Sequence, residues 1–135
     1  MKKSLVFLSL LLFVTTITFA QKKSVVEVLY FKANLSCCQA KSCAAMENDV
    51  KAIVEKNFTD GTVIFKEIKL ADEANKEIVE KYKAKSQTIV LVYRSKKKEK
   101  SLDISDIVKG CSQNPDKAEM EKQLLAKISE IKRKL

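Results

Sequence analysis

Continuous apolar runs alternate with helix-spaced apolar stripes along this chain. Three runs predict buried strands: residues 25–31 (VVEVLYF), 62–70 and 88–93 (TIVLVY). The run at 88–93 is the least interrupted, so we expect it in the middle of the sheet. Residues 95–100 form a charged reversal into a weaker strand at 101–108, whose broken pattern is typical of a sheet edge.

Helical spacing separates these runs. After Cys43 the apolar residues recur along one face of a helix, as Met46, Val50, Ile53, Val54 and Phe58. Asp72 is a candidate N-cap for a second helix through Ala84. Asn114-Pro115 is a helix-start signal, and the stripe Met120, Leu124, Ile128, Ile131 and Leu135 follows it. The element order is therefore β-α-β-α-β-β-α.

This order predicts an α/β fold. A β-α-β start implies parallel strands joined by a right-handed crossover, and the final hairpin adds an antiparallel edge. Because the strands are so apolar, helices must cover both faces of the sheet. We therefore expect a mixed four-stranded sheet between two helical layers.

The first twenty residues carry the pattern of a signal peptide rather than of the domain. Lys2 and Lys3 precede an apolar run at 5–14, and Thr18 and Ala20 are the small residues that signal peptidase requires. We predict a signal peptide at 1–20 and a mature domain at 21–135, in the periplasm or secreted. After cleavage no membrane attachment is expected.

The charge of the mature chain does not indicate nucleic-acid binding. Of 26 basic residues, Lys2 and Lys3 fall in the signal peptide, which leaves 24 against 17 acidic ones, a net of +7. The lysine runs at 96–100 and 132–134 have no interleaved aromatic residues on which bases would stack, so we interpret them as solvated. Histidine is absent, which excludes imidazole catalysis and His-bearing metal sites.

Four cysteines remain as the candidate chemistry: Cys37, Cys38, Cys43 and Cys111. The first strand ends in Tyr30-Phe31, three cysteines follow it closely, and a helix opens with Cys43-Ala44-Ala45-Met46-Glu47. These features resemble the thioredoxin-like superfamily over residues 25–135. The chain looks closest to exported Bacteroidetes proteins of that kind, some named as nitrophenyl-compound nitroreductase subunits of the ArsF type. The resemblance implies a three-layer thioredoxin-like sandwich and a redox site where the first strand meets the first helix.

The local structure around the cysteine cluster has two readings. The usual C-x-x-C would place a cysteine at position 40, which is alanine, so the partner of Cys43 would be Cys38 or Cys37. A Cys38–Cys43 disulfide requires a loop at 37–42, since residues five apart on a helix rise about 7.5 Å along its axis. A capping box at Ser36 and Gln39 would instead start the helix at Cys37, with Cys37 and Cys38 in its first turn.

Two further positions bear on function. Gln87 stands where thioredoxin-like redox enzymes usually carry a cis-proline, which puts general disulfide exchange in doubt. Cys111 follows the last strand in a predicted loop, and this topology brings that loop to the end of the sheet where the first strand ends. All four thiols are then expected on one rim.

Three functions fit these features. In the first, the chain exchanges disulfides with protein thiols: Cys38 or Cys37 attacks, Cys43 is its partner, Cys111 is a possible resolving thiol, and Lys41 favours the thiolate. Glu27 could relay protons, although a carboxylate at a sheet end or edge is the simpler interpretation. In the second, the thiols bind a soft ion such as Cu(I), zinc or trivalent arsenic. In the third, two disulfides brace an accessory domain that binds a partner subunit. No flavin or nicotinamide motif is present, and no cofactor is expected.

Overall fold

A computed structural model describes residues 24–34, 38–96, 98–113 and 116–133. Within them the strands are β1 (Val25–Lys32), β2 (Val63–Lys69), β3 (Thr88–Arg94) and β4 (Glu99–Asp103). The helices are α1 (Cys38–Asn57), α2 (Lys76–Lys81), α3 (Ser105–Gln113) and α4 (Lys117–Arg133), and a short 3₁₀ helix, Glu73–Asn75, leads into α2.

The strands form one mixed sheet in the order β2-β1-β3-β4. β1 is parallel to β2 and antiparallel to β3, and β3 is antiparallel to β4. The predicted mixed four-stranded sheet is therefore confirmed, with residues 88–93 in an interior strand. Phe31 pairs with Thr88, so the last residues of β1 lie beside the first residues of β3.

Helices cover both faces of the sheet. One face buries residues of α1, α3 and α4, such as Val50, Val108 and Leu124, against β1 and β3. The other face packs Leu29, Phe31 and Val92 against side chains of α2 and the turn after it. The alternation of side chains along β1 makes this division, because successive residues of a strand point to opposite faces.

The predicted strand at 101–108 is wrong beyond Asp103. Residues from Ser105 onward form α3, because Ile104, Ile107 and Val108 have the spacing of one helix face rather than the alternation of a strand. The Asp103 carboxylate accepts the Ser105 backbone N–H at 2.8 Å and caps the new helix. The chain therefore has an additional helix between the hairpin and α4.

The first helix resolves the two readings of the cysteine cluster. α1 begins at Cys38 and runs without interruption to Asn57, so the residues 38–42 are helical and not a loop. Gln39, Ala40 and Lys41 are good helix formers, and their propensity accounts for the early start. Cys37 and Ser36, the first residue of the capping box, lie outside the described residues.

The remaining helices follow the predicted signals in part. Asp72 accepts the Ala74 N–H at 3.0 Å, as expected of an N-cap, but it caps the 3₁₀ helix Glu73–Asn75. The helix α2 that follows ends at Lys81 rather than at Ala84. In α4 the predicted stripe is buried at Met120, Leu124, Ile128 and Ile131. Asn114, Pro115 and the predicted signal peptide fall outside the described residues. None of the described helices has the length and apolar character needed to span a membrane.

Candidate functional site: a thiol at the rim of the sheet

A cavity of about 220 Å³ lies where β1 ends and β3 begins. Its walls are residues 30–34, Cys43, Ser86 and Gln87. Three separate segments of the chain meet there: the end of β1 with the residues after it, the second turn of α1, and the turn before β3. This rim is where the sequence predicted a thiol site.

Cys43 is held in this cavity by two contacts. Its sulfur accepts a hydrogen bond from Gln87 Nε2 at 2.7 Å. Its backbone carbonyl accepts one from the Tyr30 hydroxyl at 3.3 Å, which ties the second turn of α1 to β1. The thiol is half-buried and free of any disulfide. It is therefore fixed in direction while still lining an open cavity.

Gln87 has an unusual backbone for its residue type. Its φ is 63°, in the left-handed region that non-glycine residues seldom adopt. Its N–H donates to the Phe31 carbonyl at 3.0 Å, which anchors the turn to the end of β1. Among the described residues no peptide bond is cis, so the position of the expected cis-proline holds a trans-bonded glutamine whose side chain reaches the thiol.

A carboxyl pair lies beside the thiol. Lys32 Nζ is 2.8 Å from Glu47 Oε2 and 3.8 Å from Glu67 Oε2, so one ammonium group bridges α1 and β2. Burial alone would raise the pKa of Glu47, but hydrogen bonding with Glu67 and the Lys32 charge outweigh it and lower that pKa. The pKa of Glu67 is raised, first by its hydrogen bond with Glu47 and then by burial. When the pair holds one proton, that proton therefore resides on Glu67 and Glu47 is ionised.

Tyr30 remains a hydrogen-bond donor under ordinary conditions. Burial raises the pKa of its phenol well above the usual value, and the electrostatic effect of the neighbouring Cys43 and Glu47 raises it further. The ring is 1% exposed and packs against Phe65 in a tilted arrangement with centroids 6.2 Å apart. The hydroxyl thus stays protonated beside the thiol.

The four predicted site cysteines are not equally defined. Cys43 lines the cavity, Cys37 lies outside the described residues, and the sulfurs of Cys38 and Cys111 lie outside the described side chains. Cys38 and Cys43 are on one continuous helix, where five residues separate them by about 7.5 Å along the axis. The Cys38–Cys43 disulfide, which was possible only with a loop at 37–42, is therefore incompatible with this backbone, because a disulfide needs Cα atoms within about 7 Å.

Cys111 lies in α3 and not in the predicted loop. The start of α3 is at the rim, where Ser105 Oγ accepts the Ile89 backbone N–H at 3.0 Å. The helix packs against α1 and α4, so residue 111 is on the same face of the sheet as Cys43. The convergence of all four sulfurs on the rim stays a prediction.

Glu27 does not serve the thiol. It projects from β1 to the face opposite Tyr30, since the two positions are three apart along the strand. Its carboxylate is 8% exposed and pairs with Lys66 at 2.5 Å and with Arg94 at 3.6 Å. An edge position is wrong, because β1 is an interior strand. Glu27 lies near the start of β1, as a sheet-end carboxylate would, and forms ion pairs across the sheet with two half-exposed side chains.

Sequence reasoning missed Glu47 and singled out Glu27 instead. The signal for Glu47 was present: it continues the row Cys43, Val50 and Val54 on the buried side of α1, where a carboxylate must find a partner. The partners Lys32 and Glu67 come from two strands, and no local pattern links them to α1.

A metal site is not formed by the described side chains. Among them, no group of three or more His, Cys, Asp or Glu residues is arranged to hold an ion. A soft-ion site would depend on the sulfurs of Cys37, Cys38 and Cys111.

Comparisons with known proteins do not show a family for this chain. No family model matches it, and no curated protein does. A solved structure described as that of a malarial protein is similar over 58% of this chain and 80% of that one, with 21% identity and a TM-score of 0.39. At this TM-score the likeness supports no inference about fold or function.

Proposed function

We propose that this chain is an exported thioredoxin-like protein that exchanges disulfides with other proteins through Cys43. The observation that carries the proposal is the half-buried thiol in the wall of a cavity, where a side chain from the turn before β3 donates a hydrogen bond to it. A thiol held in this way can meet a partner's sulfur without reorganising the fold. Its compartment would be the periplasm or the exterior, where disulfides persist.

The topology supports the thioredoxin-like part of the proposal. That layout, as the sequence resemblance implies it, has a β-α-β unit followed by a helix, a hairpin and a last helix. The strand order β2-β1-β3-β4, with α1 and α4 on one face and α2 on the other, agrees with it. The extra helix α3 is this chain's departure, and it carries Cys111.

The reaction balances with two thiols of this chain. One thiolate attacks a sulfur of the partner's disulfide, forming a mixed disulfide and releasing one partner thiolate. A second thiolate then attacks the first sulfur of this chain, closing an internal disulfide and releasing the second partner thiolate. The chain is oxidised by two electrons, the partner disulfide is reduced, and the reverse sequence oxidises a partner. We assign Cys43 to the internal disulfide, with Cys111 as its partner, because an uninterrupted α1 separates Cys43 too widely from Cys38 and from the residue before it.

Reduction of insulin by dithiothreitol tests the proposal. The mature chain should accelerate precipitation of the insulin B chain, and Cys43→Ser should abolish that acceleration. Ser86→Ala is the matched control, because Ser86 lines the same cavity and has no reacting atom. Acceleration that survives Cys43→Ser would show that the reaction does not pass through this thiol.

A second function is favoured by one observation. Gln87 occupies the position of the cis-proline that helps to dock substrate disulfides in the family, and its peptide bond is trans. This departure favours an accessory domain braced by disulfides and bound to a partner subunit. The two functions differ in redox potential: a structural disulfide lies below about −300 mV and a redox-active one lies above it.

A further inference from the structure

Some groups near Cys43 disfavour a negative charge on its sulfur, and others favour it. One turn further along α1 is Glu47, hydrogen-bonded to Glu67, and like charges nearby disfavour ionisation of a thiol. Lys32 offsets part of this charge through its ion pairs with both carboxylates. On the other side Gln87 Nε2 points an N–H group at the sulfur itself, at 2.7 Å.

The backbone conformation of Gln87 holds its side chain in position for this hydrogen bond. A left-handed φ of 63° is unfavourable for a residue with a side chain, and it persists only where surrounding interactions hold it. The N–H of Gln87 is bound to the Phe31 carbonyl, so the turn is fixed to β1 and the side chain is directed across the cavity. An amide is neutral, so it donates to a thiolate without adding charge to a site that already holds two carboxyls.

We infer that Gln87 is a positioning residue that stabilises the thiolate form of Cys43. The inference rests on the proposed function for its role in exchange, but the contact acts on the thiol whatever the partner is. Only a thiolate attacks a disulfide or an alkylating reagent, so loss of the amide donor should lower the reactivity of Cys43 at neutral pH.

Alkylation of the reduced mature chain by iodoacetamide measures this reactivity. Trypsin cleavage after Lys41 and Lys51 releases residues 42–51, which contain Cys43 and no other cysteine, so mass spectrometry reports this thiol alone. Three variants are compared over a pH series. Gln87→Met keeps the length without the N–H donor, Gln87→Glu keeps the shape and adds a negative charge, and Ser86→Ala changes the same cavity wall without touching the sulfur.

Gln87→Met should slow the alkylation of Cys43 about tenfold at pH 7, a factor that corresponds to about 1.4 kcal/mol and lies near the lower end of what a hydrogen bond to a charged group contributes. Gln87→Glu should slow it further, and both profiles should converge on that of the unchanged chain at high pH. Ser86→Ala should remain within about twofold. The alkylation rate should therefore decrease from the unchanged chain to Gln87→Met to Gln87→Glu. This order reflects charge at the sulfur, and a merely structural role of Gln87 would not produce it.

Rates for Gln87→Met and Gln87→Glu that match the unchanged chain at every pH would overturn the inference. Urea unfolding of each variant identifies any that is misfolded, and Gln87→Asn, with the same groups on a shorter side chain, then replaces it and should lie between the unchanged chain and Met. The two proposals fail separately. Ordered alkylation rates without insulin reduction would refute the proposed function alone, whereas insulin reduction with unaltered rates would refute the role of Gln87 alone.

Discussion

Replacing Tyr30 by phenylalanine removes one hydroxyl from the interface between β1 and α1. The hydroxyl donates to the Cys43 carbonyl at 3.3 Å, and the ring below it is 1% exposed. Phenylalanine keeps the ring and its contact with Phe65, so the substitution isolates the hydrogen bond from the packing. It also tests the hydrogen bond that fixes the backbone of Cys43 beside the cavity.

The expected cost is small. A neutral hydrogen bond contributes about 0.5–1.5 kcal/mol, and the Cys43 carbonyl remains an acceptor within α1 when the hydroxyl is gone. We therefore expect Tyr30→Phe to lower the free energy of unfolding by about 1 kcal/mol, or about 4 °C in Tm. Tyr30→Ala also removes the ring and should cost about 3–5 kcal/mol.

Urea unfolding followed by circular dichroism measures both variants. Equal m-values are required for the comparison, because a changed slope would mean an altered denatured state. A cost above about 2.5 kcal/mol for Tyr30→Phe would refute the single neutral bond, as would a variant as stable as the unchanged chain. In the first case the hydroxyl would make further stabilising interactions beyond this hydrogen bond. In the second case the hydrogen bond between β1 and α1 would contribute nothing to the free energy of unfolding.

Two other predictions concern the carboxyl pair and the amino terminus. Glu67 has a pKa raised above 4.5, so the folded chain binds its proton more tightly than the unfolded chain and loses stability as the pH rises through that pKa. Glu67→Gln cannot ionise and still donates to Glu47, so it should be more stable than the unchanged chain by about 0.2–1 kcal/mol at pH 8, with the difference vanishing towards pH 4. Thermal unfolding at both pH values measures this, and a difference independent of pH would contradict it. The intact mass of the exported protein should correspond to a chain beginning at Gln21; a mass that retains residues 1–20 would rule out cleavage.

Much of the fold could be predicted because its signals are local. The interior strands β1 and β3 are almost continuous apolar runs, and no other element would bury such runs at that length. The reversal between β3 and β4 follows from the charged residues at 95–98, where the Ser95 N–H donates to the Lys98 carbonyl at 2.9 Å. These patterns are complete within a few residues of sequence.

The helix α3 was missed because two periods overlap at residues 101–108. Leu102 and Ile104 suit a strand, whereas Ile104, Ile107 and Val108 suit a helix, and the Asp103 cap that separates them was not recognised. The start of α1 was left open for a similar reason. A capping box and a loop were both compatible with the cluster, and helix propensity decided between them.

The contacts of the site could not be predicted from the sequence. Gln87 was noted only as the residue in place of a proline, yet it donates to a sulfur 44 positions away. The Lys32–Glu67 pair likewise depends on the pairing of β1 with β2, and the Lys32–Glu47 pair depends on the packing of α1 on the sheet. Local sequence patterns predict the helix or strand on which each residue lies, but the contacts between these residues depend on how the helices and strands pack together.

The redox state of Cys43 in glutathione buffers tests the central claim most directly. The mature chain is equilibrated over a range of potentials, quenched and digested with trypsin, and the fraction of Cys43 in a disulfide is measured together with its partner. We predict an internal disulfide between Cys43 and Cys111, with a midpoint above about −300 mV. A Cys43 that stays a thiol throughout, or a disulfide with a midpoint below that value, would contradict a redox role for this rim.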